Sequence, residues 1–178
     1  MPAPKLSETQ IGKLAELVAG YIAEQRSAFR DKARPIAPEY IRQLQGFFPV
    51  DVLSLVRVVR GRASEPAFYP QLRAMGIRNA PAFSEMAGIT FQDIVVHVEP
   101  LSLPLLFHEL VHAVQYKHLG LEGFAERYVR GFLSGGSYEE IPLEKQAYEL
   151  EGRFAANSAV AHFSVEEDVK ERIRLNQL

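Results

Sequence analysis

Apolar residues recur at helical spacing near the start of the chain, where Ile11, Leu14, Leu17, Val18, Tyr21 and Ile22 form one stripe. Ser7 and Gln10 have the spacing of a capping box, so an amphipathic helix is predicted from there to about Phe29. Pro35 and Pro38 interrupt it, and Pro38 can open a short second helix through Ile41 and Leu44 that Pro49 ends. From Val50 to Val59 the pattern changes to a run of Val and Leu, apolar on both faces and closed by Arg60-Gly61, which predicts a buried strand. Ser64 to Met75 predicts a short helix stopped at Gly76, and Asn79 to Pro81 a turn. Ile89 to Phe91 and then Ile94 to Val98 predict a second strand, closed by Glu99-Pro100. The remainder is helical: Pro104 opens a long helix ending near Leu119-Gly120, followed by helices at about Glu122 to Leu133, Pro142 to Ala156 and Val165 to Leu175. Helix, two strands and a helical C-terminal half make an α+β layout, expected as a single domain over residues 1–178.

Composition narrows the chemistry. Twenty basic against 22 acidic side chains give a net charge of -2, so the chain has no excess positive field for nucleic acid or an anionic membrane surface. It has no cysteine, which excludes disulfides and thiolate cages and leaves His and carboxylates as metal ligands. The first residues, MPAPKLSETQ, lack a basic stretch followed by an apolar run, and no apolar segment reaches membrane-spanning length. A cytoplasmic location is the expectation.

The long helix contains HELVH, with His108 and His112 four residues apart and Glu109 between them. Helical residues at that spacing are offset by about 40° and roughly 6 Å along the axis, so the two imidazoles point the same way. They suit two corners of a tetrahedral zinc site, and Glu109 suits a general base that takes a proton from water activated by one zinc ion. Leu106, Phe107, Leu110 and Val114 gather on the opposite side, and Tyr116 continues the histidine stripe toward the cleft.

A catalytic zinc takes three protein ligands. HELVHAVQYKH comes near the metzincin pattern, whose third histidine would be His118, but Gln115 stands where that pattern has glycine. Without the glycine the helix should continue, carrying His118 about 9 Å onward and roughly 120° around. The other source is SYEEIPLEKQAYELEGRF. There Glu144, Tyr148 and Glu151 share a helix face, Glu140 precedes it, and Leu143, Ala147, Leu150 and Phe154 form the adjoining apolar stripe. Lys145, Gln146, Glu149 and Arg153 are assigned to solvent. His97 on the second strand could approach the cleft, though a lone strand histidine is more often structural, and His162 has no partner at ligand spacing.

With these motifs the chain resembles the gluzincins, zinc metallopeptidases in which two histidines of an HExxH helix and a glutamate of a later helix bind the metal. It is similar to small bacterial metallopeptidases that have an HELxHxxQ helix followed by a P-x-E-x-x-A-Y segment. FHELVHAVQY and IPLEKQAY carry the likeness, which runs from about Gly88 to Phe154. The resemblance implies a zincin-like fold, in which a small N-terminal sheet and a helical C-terminal half surround the HExxH helix, and it implies Glu144 as third zinc ligand. It also implies a Tyr or His that stabilises an oxyanion, with Tyr116, Tyr138 and Tyr148 as candidates. The Asn-Glu-x-x-Ser-Asp form of thermolysin-like enzymes is absent, so substrate preference does not carry over. The expected function is hydrolysis of a peptide or protein substrate, with Glu109 as base and His108, His112 and Glu144 on zinc. Two rival readings keep the zinc: a non-proteolytic binding or regulatory domain, and an effector acting on one specific partner.

Overall fold

The Ser7 hydroxyl accepts from the Gln10 amide, and the Gln10 side chain accepts from the Ser7 N–H, closing the capping box at the head of α1, Glu8–Arg30. The computed structural model describes residues 6–178 apart from 79, 99, 136 and 157–161, so the breaks expected at Asn79 and Glu99 lie outside the described residues. Leu14, Val18, Tyr21 and Ile22 of α1 are buried, as their stripe predicts. After α1 come β1 (Arg34–Pro35), α2 (Pro38–Leu44), α3 (Val50–Leu55), β2 (Arg57–Arg60) and α4 (Tyr69–Ala74).

The run from Val50 to Val59 is therefore not one strand. Pro49, with φ -61°, leads into a short helix, and only its last part is extended. Val52 and Leu53, adjacent in sequence, both pack into the core, while Val50 is 79% and Leu55 63% exposed. A strand would have sent Val52 and Leu53 to opposite faces. Burial of Val52, Leu53 and Val56 with exposure of Val50, Asp51, Ser54 and Leu55 is one face of a helix, and it prevails over the β propensity of the run.

The second expected strand is a hairpin, β3 (Gly88–Phe91) and β4 (Ile94–His97). The chain reverses at Gln92, whose φ of 60° is uncommon outside glycine, and at Asp93, whose carboxylate accepts two hydrogen bonds from the Arg26 guanidinium of α1. A turn held by a distant arginine carries no local Gly or Pro signal. The sheet has the order β1-β2-β4-β3, with β2 and β4 parallel and the other pairs antiparallel, so β3 is an edge strand.

The long helix α5 spans Leu103–Gly135, divided into two arms at Gly120, where φ is 71° and ψ 175°. Two further helices, α6 (Pro142–Ala156) and α7 (Val165–Arg174), complete an α+β fold that is mostly helical around a small four-stranded sheet. Leu106, Phe107, Leu110, Val111 and Val114 in the first arm of α5 are fully buried, each contributing about 1.5–3 kcal/mol. The arm is enclosed by α1, β3, α6 and α7, and Phe107 stacks on Phe154 of α6 with ring centroids 4.4 Å apart. No helix among the described residues is long and apolar enough to cross a membrane.

At Gly120 a Cβ would meet nothing within 4 Å, so substitution there acts through the backbone alone. Gly120→Ala should cost about 1–3 kcal/mol, read as a lower urea midpoint at unchanged slope. An unchanged midpoint would show that the two arms tolerate an ordinary helical junction.

Candidate metal centre

The first arm of α5 presents His108 and His112 on one face, a turn apart, and α6 brings Glu144 to them from its own first turn. Ile141 and Leu143, both fully buried, anchor the start of α6. A Cβ on Gly131 would lie 2.6 Å from Pro142 Cδ, so that glycine lets α6 begin close against the second arm of α5. The three side chains meet deep in the protein, with residue exposures of 3–5%.

Their ligand atoms converge. His112 Nε2 is 3.2 Å from His108 Nε2 and 3.2 Å from Glu144 Oε2, and His108 Nε2 is 3.4 Å from Glu144 Oε2. A tetrahedral ion bound to nitrogen and carboxylate oxygen at about 2.0–2.1 Å separates its ligand atoms by about 3.3–3.4 Å. Glu144 Oε2 is buried without a hydrogen-bond partner despite this proximity. These three residues form a group that could hold a metal ion, and the triangle has the right size for one.

The far side of each imidazole is fixed. His108 Nδ1 lies 3.0 Å from Glu151 Oε2, and His112 Nδ1 lies 2.8 Å from Gln115 Oε1. Both oxygens accept, so each Nδ1 donates and each neutral ring turns the lone pair of Nε2 toward the triangle. The Gln115 amide is itself locked, because its Nε2 donates to Leu143 O at 3.0 Å and to Gln146 Oε1 at 2.9 Å. Gln146 in turn donates to Asp168 Oδ1 of α7 at 2.8 Å, and Asp168 is paired with Arg172.

Two lone pairs and a carboxylate oxygen repel one another unless positive charge sits between them. Protons can supply it. Burial resists charge on His108, yet the Glu144 and Glu151 carboxylates raise its pKa to about 10. His112 is likewise resisted by burial and raised by Glu144. Burial would push the Glu144 carboxyl up, but His112 and His108 hold it down at about 2.

Glu109 stands beside the triangle and outside it. Thr90 of β3 places its hydroxyl 2.7 Å from Glu109 Oε2 and 2.9 Å from the Glu109 backbone carbonyl, donating its single proton to one of them. A Cβ on Gly88 would lie 2.7 Å from Glu109 Oε1, so glycine there gives the carboxylate room against the edge strand. Burial raises the Glu109 pKa, while the charges of His112 and His108 pull it back. Glu109, His112 and Glu144 face a cavity of about 480 Å³, counted with its mouth, whose walls include Tyr116 and Tyr138.

The other sequence candidates fall elsewhere. The helix runs through Gln115 unbroken, and His118 pairs with Glu166 of α7 at 2.9 Å, away from the triangle. Glu140 pairs with Lys145 at 3.6 Å, whereas Glu151 backs His108. Tyr148 sits edge-on against the His108 ring at 4.5 Å and is half-exposed. His97 Nδ1 donates to the neighbouring Val98 carbonyl, and His162 packs on Phe47. Gln146, assigned to solvent by its helical position, is fully buried; the hydrogen-bonding needs of Gln115 draw it inward. Gln146 and Thr90 are absent from the sequence reading of the site, and Gln115 enters it only as the last position of the HELxHxxQ motif, without the part it plays in holding His112. Comparison with protein-family models, with curated proteins and with solved structures finds no match.

Replacing His108, His112 or Glu144 by Ala should abolish metal uptake in elemental analysis of the purified protein, while His118→Ala should keep it. Loss in His118→Ala alone would displace the triangle as the site. Gln115→Leu should weaken metal affinity about 10–100-fold by freeing the His112 ring, measured by competition with a chromophoric chelator; parental affinity would show that the amide does not orient the ligand.

Proposed function

We propose that this chain is a zinc-dependent metallopeptidase of zincin-like architecture, holding one zinc ion through His108, His112 and Glu144. The observation that carries this reading is the convergence of three neutralisable ligand atoms at tetrahedral spacing, with a fourth carboxylate, Glu109, held beside them and not among them. Zinc held there would supply Lewis acidity, polarising a carbonyl and lowering the pKa of a bound water to roughly 7. The donor set of two imidazoles and one carboxylate suits that ion and leaves a coordination position open.

The chain's own residues do the remaining work. Glu109 accepts the proton of the attacking water at a carboxylate oxygen, and its upward shift from burial brings that carboxylate closer to the pKa a general base needs near neutrality. Thr90 fixes the carboxylate's direction. Glu151 and Gln115 hold the imidazoles. Tyr138 or Tyr116, which line the cavity together with Glu144, would donate to a carbonyl oxygen as negative charge builds on it. Tyr148 lies outside the cavity walls and is not needed for this step. An extended substrate would pair with the free edge of β3, which passes directly under Glu109.

The deep burial of the triangle favours a second reading, a zinc-stabilised binding or regulatory domain. That role has no use for a buried carboxylate beside the metal. Glu109→Gln separates the two: it should retain zinc and fold while lowering kcat about 10²–10⁴-fold on peptides from a broad library. Equal turnover by parent and variant would remove Glu109 as base, and a zinc-loaded parent without turnover on any peptide would favour the binding domain.

A further inference from the structure

Among the described residues, only two fully buried side-chain polar atoms lack a hydrogen-bond partner: Glu144 Oε2 and Tyr128 Oη. Both residues line the same cavity. A metal ion accounts for the first. Tyr128 is out of reach of that explanation, because a phenol in an aromatic wall is not a ligand of the triangle, which the two histidines and Glu144 complete.

Tyr128 lies on the second arm of α5, where its ring stacks near Phe124 at 6.1 Å and tilts against Phe83 at 6.4 Å. The residue is partly exposed, but its hydroxyl oxygen is not. Two other buried tyrosines are satisfied in place: Tyr21 donates to Ser64 O at 2.6 Å and Tyr69 to Pro81 O at 2.6 Å. An unsatisfied buried hydroxyl is destabilising, and native structures retain one where something else completes it.

We propose that this cavity is the pocket for a tyrosine-like side chain of the molecule bound at the metal centre, an aryl ring bearing a neutral hydroxyl that meets Tyr128 Oη. This inference rests on the peptidase reading and specifies its substrate. The walls supply flat aromatic and branched surfaces from Phe83, Phe91, Phe124, Val18 and Ile22, against which a ring packs edge-on or offset. Tyr128 supplies a buried hydroxyl without a partner for the tip. A carboxylate tip is excluded, since the Glu144 and Glu109 carboxylates line the same cavity and would repel it. Met86, with its flexible thioether stem, lines the cavity as well and can adapt to the ring.

The test uses three hydroxamates on the zinc-loaded protein: acetohydroxamate, 3-phenylpropionohydroxamate and 3-(4-hydroxyphenyl)propionohydroxamate, with Kd from calorimetry. The phenyl probe should bind at least ten-fold tighter than acetohydroxamate, and the phenolic hydroxyl should add roughly another ten-fold. Tyr128→Phe, which keeps the ring and removes an unpaired hydroxyl, should melt no lower than the parent and keep the phenyl gain while losing the hydroxyl gain. Equal affinity for the two aryl probes, or a hydroxyl gain that survives in Tyr128→Phe, would overturn the pocket while leaving the metal centre standing, as would acetohydroxamate binding with no aryl gain. Failure to take up zinc would overturn both readings together.

Discussion

Three ligand atoms within 3.4 Å of one another in the interior impose their needs on the residues around them. A buried imidazole whose remaining nitrogen is unpaired would be free to flip, and a flipped ring takes its lone pair away from the triangle. Glu151 and Gln115 prevent this for His108 and His112. Gln115 then needs two acceptors for its own amide, which the Leu143 carbonyl and Gln146 provide. Much of the packing of α6 and α7 against α5 follows from that chain of requirements.

The same constraint explains why α5 is buried on every side from Leu106 to Tyr116. A helix carrying only a metal face and a core face could leave the rest to solvent, but the first arm has α6 over its histidines, the sheet beside Glu109 and α1 over the remainder. Thr90 and Gly88 sit on the edge strand because that strand must touch Glu109 closely, and one supplies a donor while the other supplies space. The sheet is small because one short hairpin and two further short strands suffice to hold that edge in place.

The helices and the triangle were largely legible in the sequence. Ile11 to Ile22, the break at Gly120 and the start of α6 at Pro142 are local signals, and local geometry follows from them. His108 and His112 were readable from helical spacing alone, and Glu144 from its place at the edge of an apolar stripe together with the resemblance. What was not legible depended on partners far away in the chain. The turn at Gln92 is held by Arg26, the helix at Val50 is selected by packing of Val52 and Leu53, and Gln146 turns inward to meet Gln115. Binary patterning assigns a glutamine to solvent, and only the neighbouring helix reveals that it carries a hydrogen bond in the core.

The hydrogen-bond chain from Asp168 through Gln146 and Gln115 to His112 has a consequence for how the protein is made. Its first member lies on the last helix. During synthesis the HELVH segment leaves the ribosome well before Asp168 does, so a nascent chain holds both histidines while the residues that orient His112 are still missing. The orientation of the His112 ring is thereby tied to completion of α7, the last helix to be made.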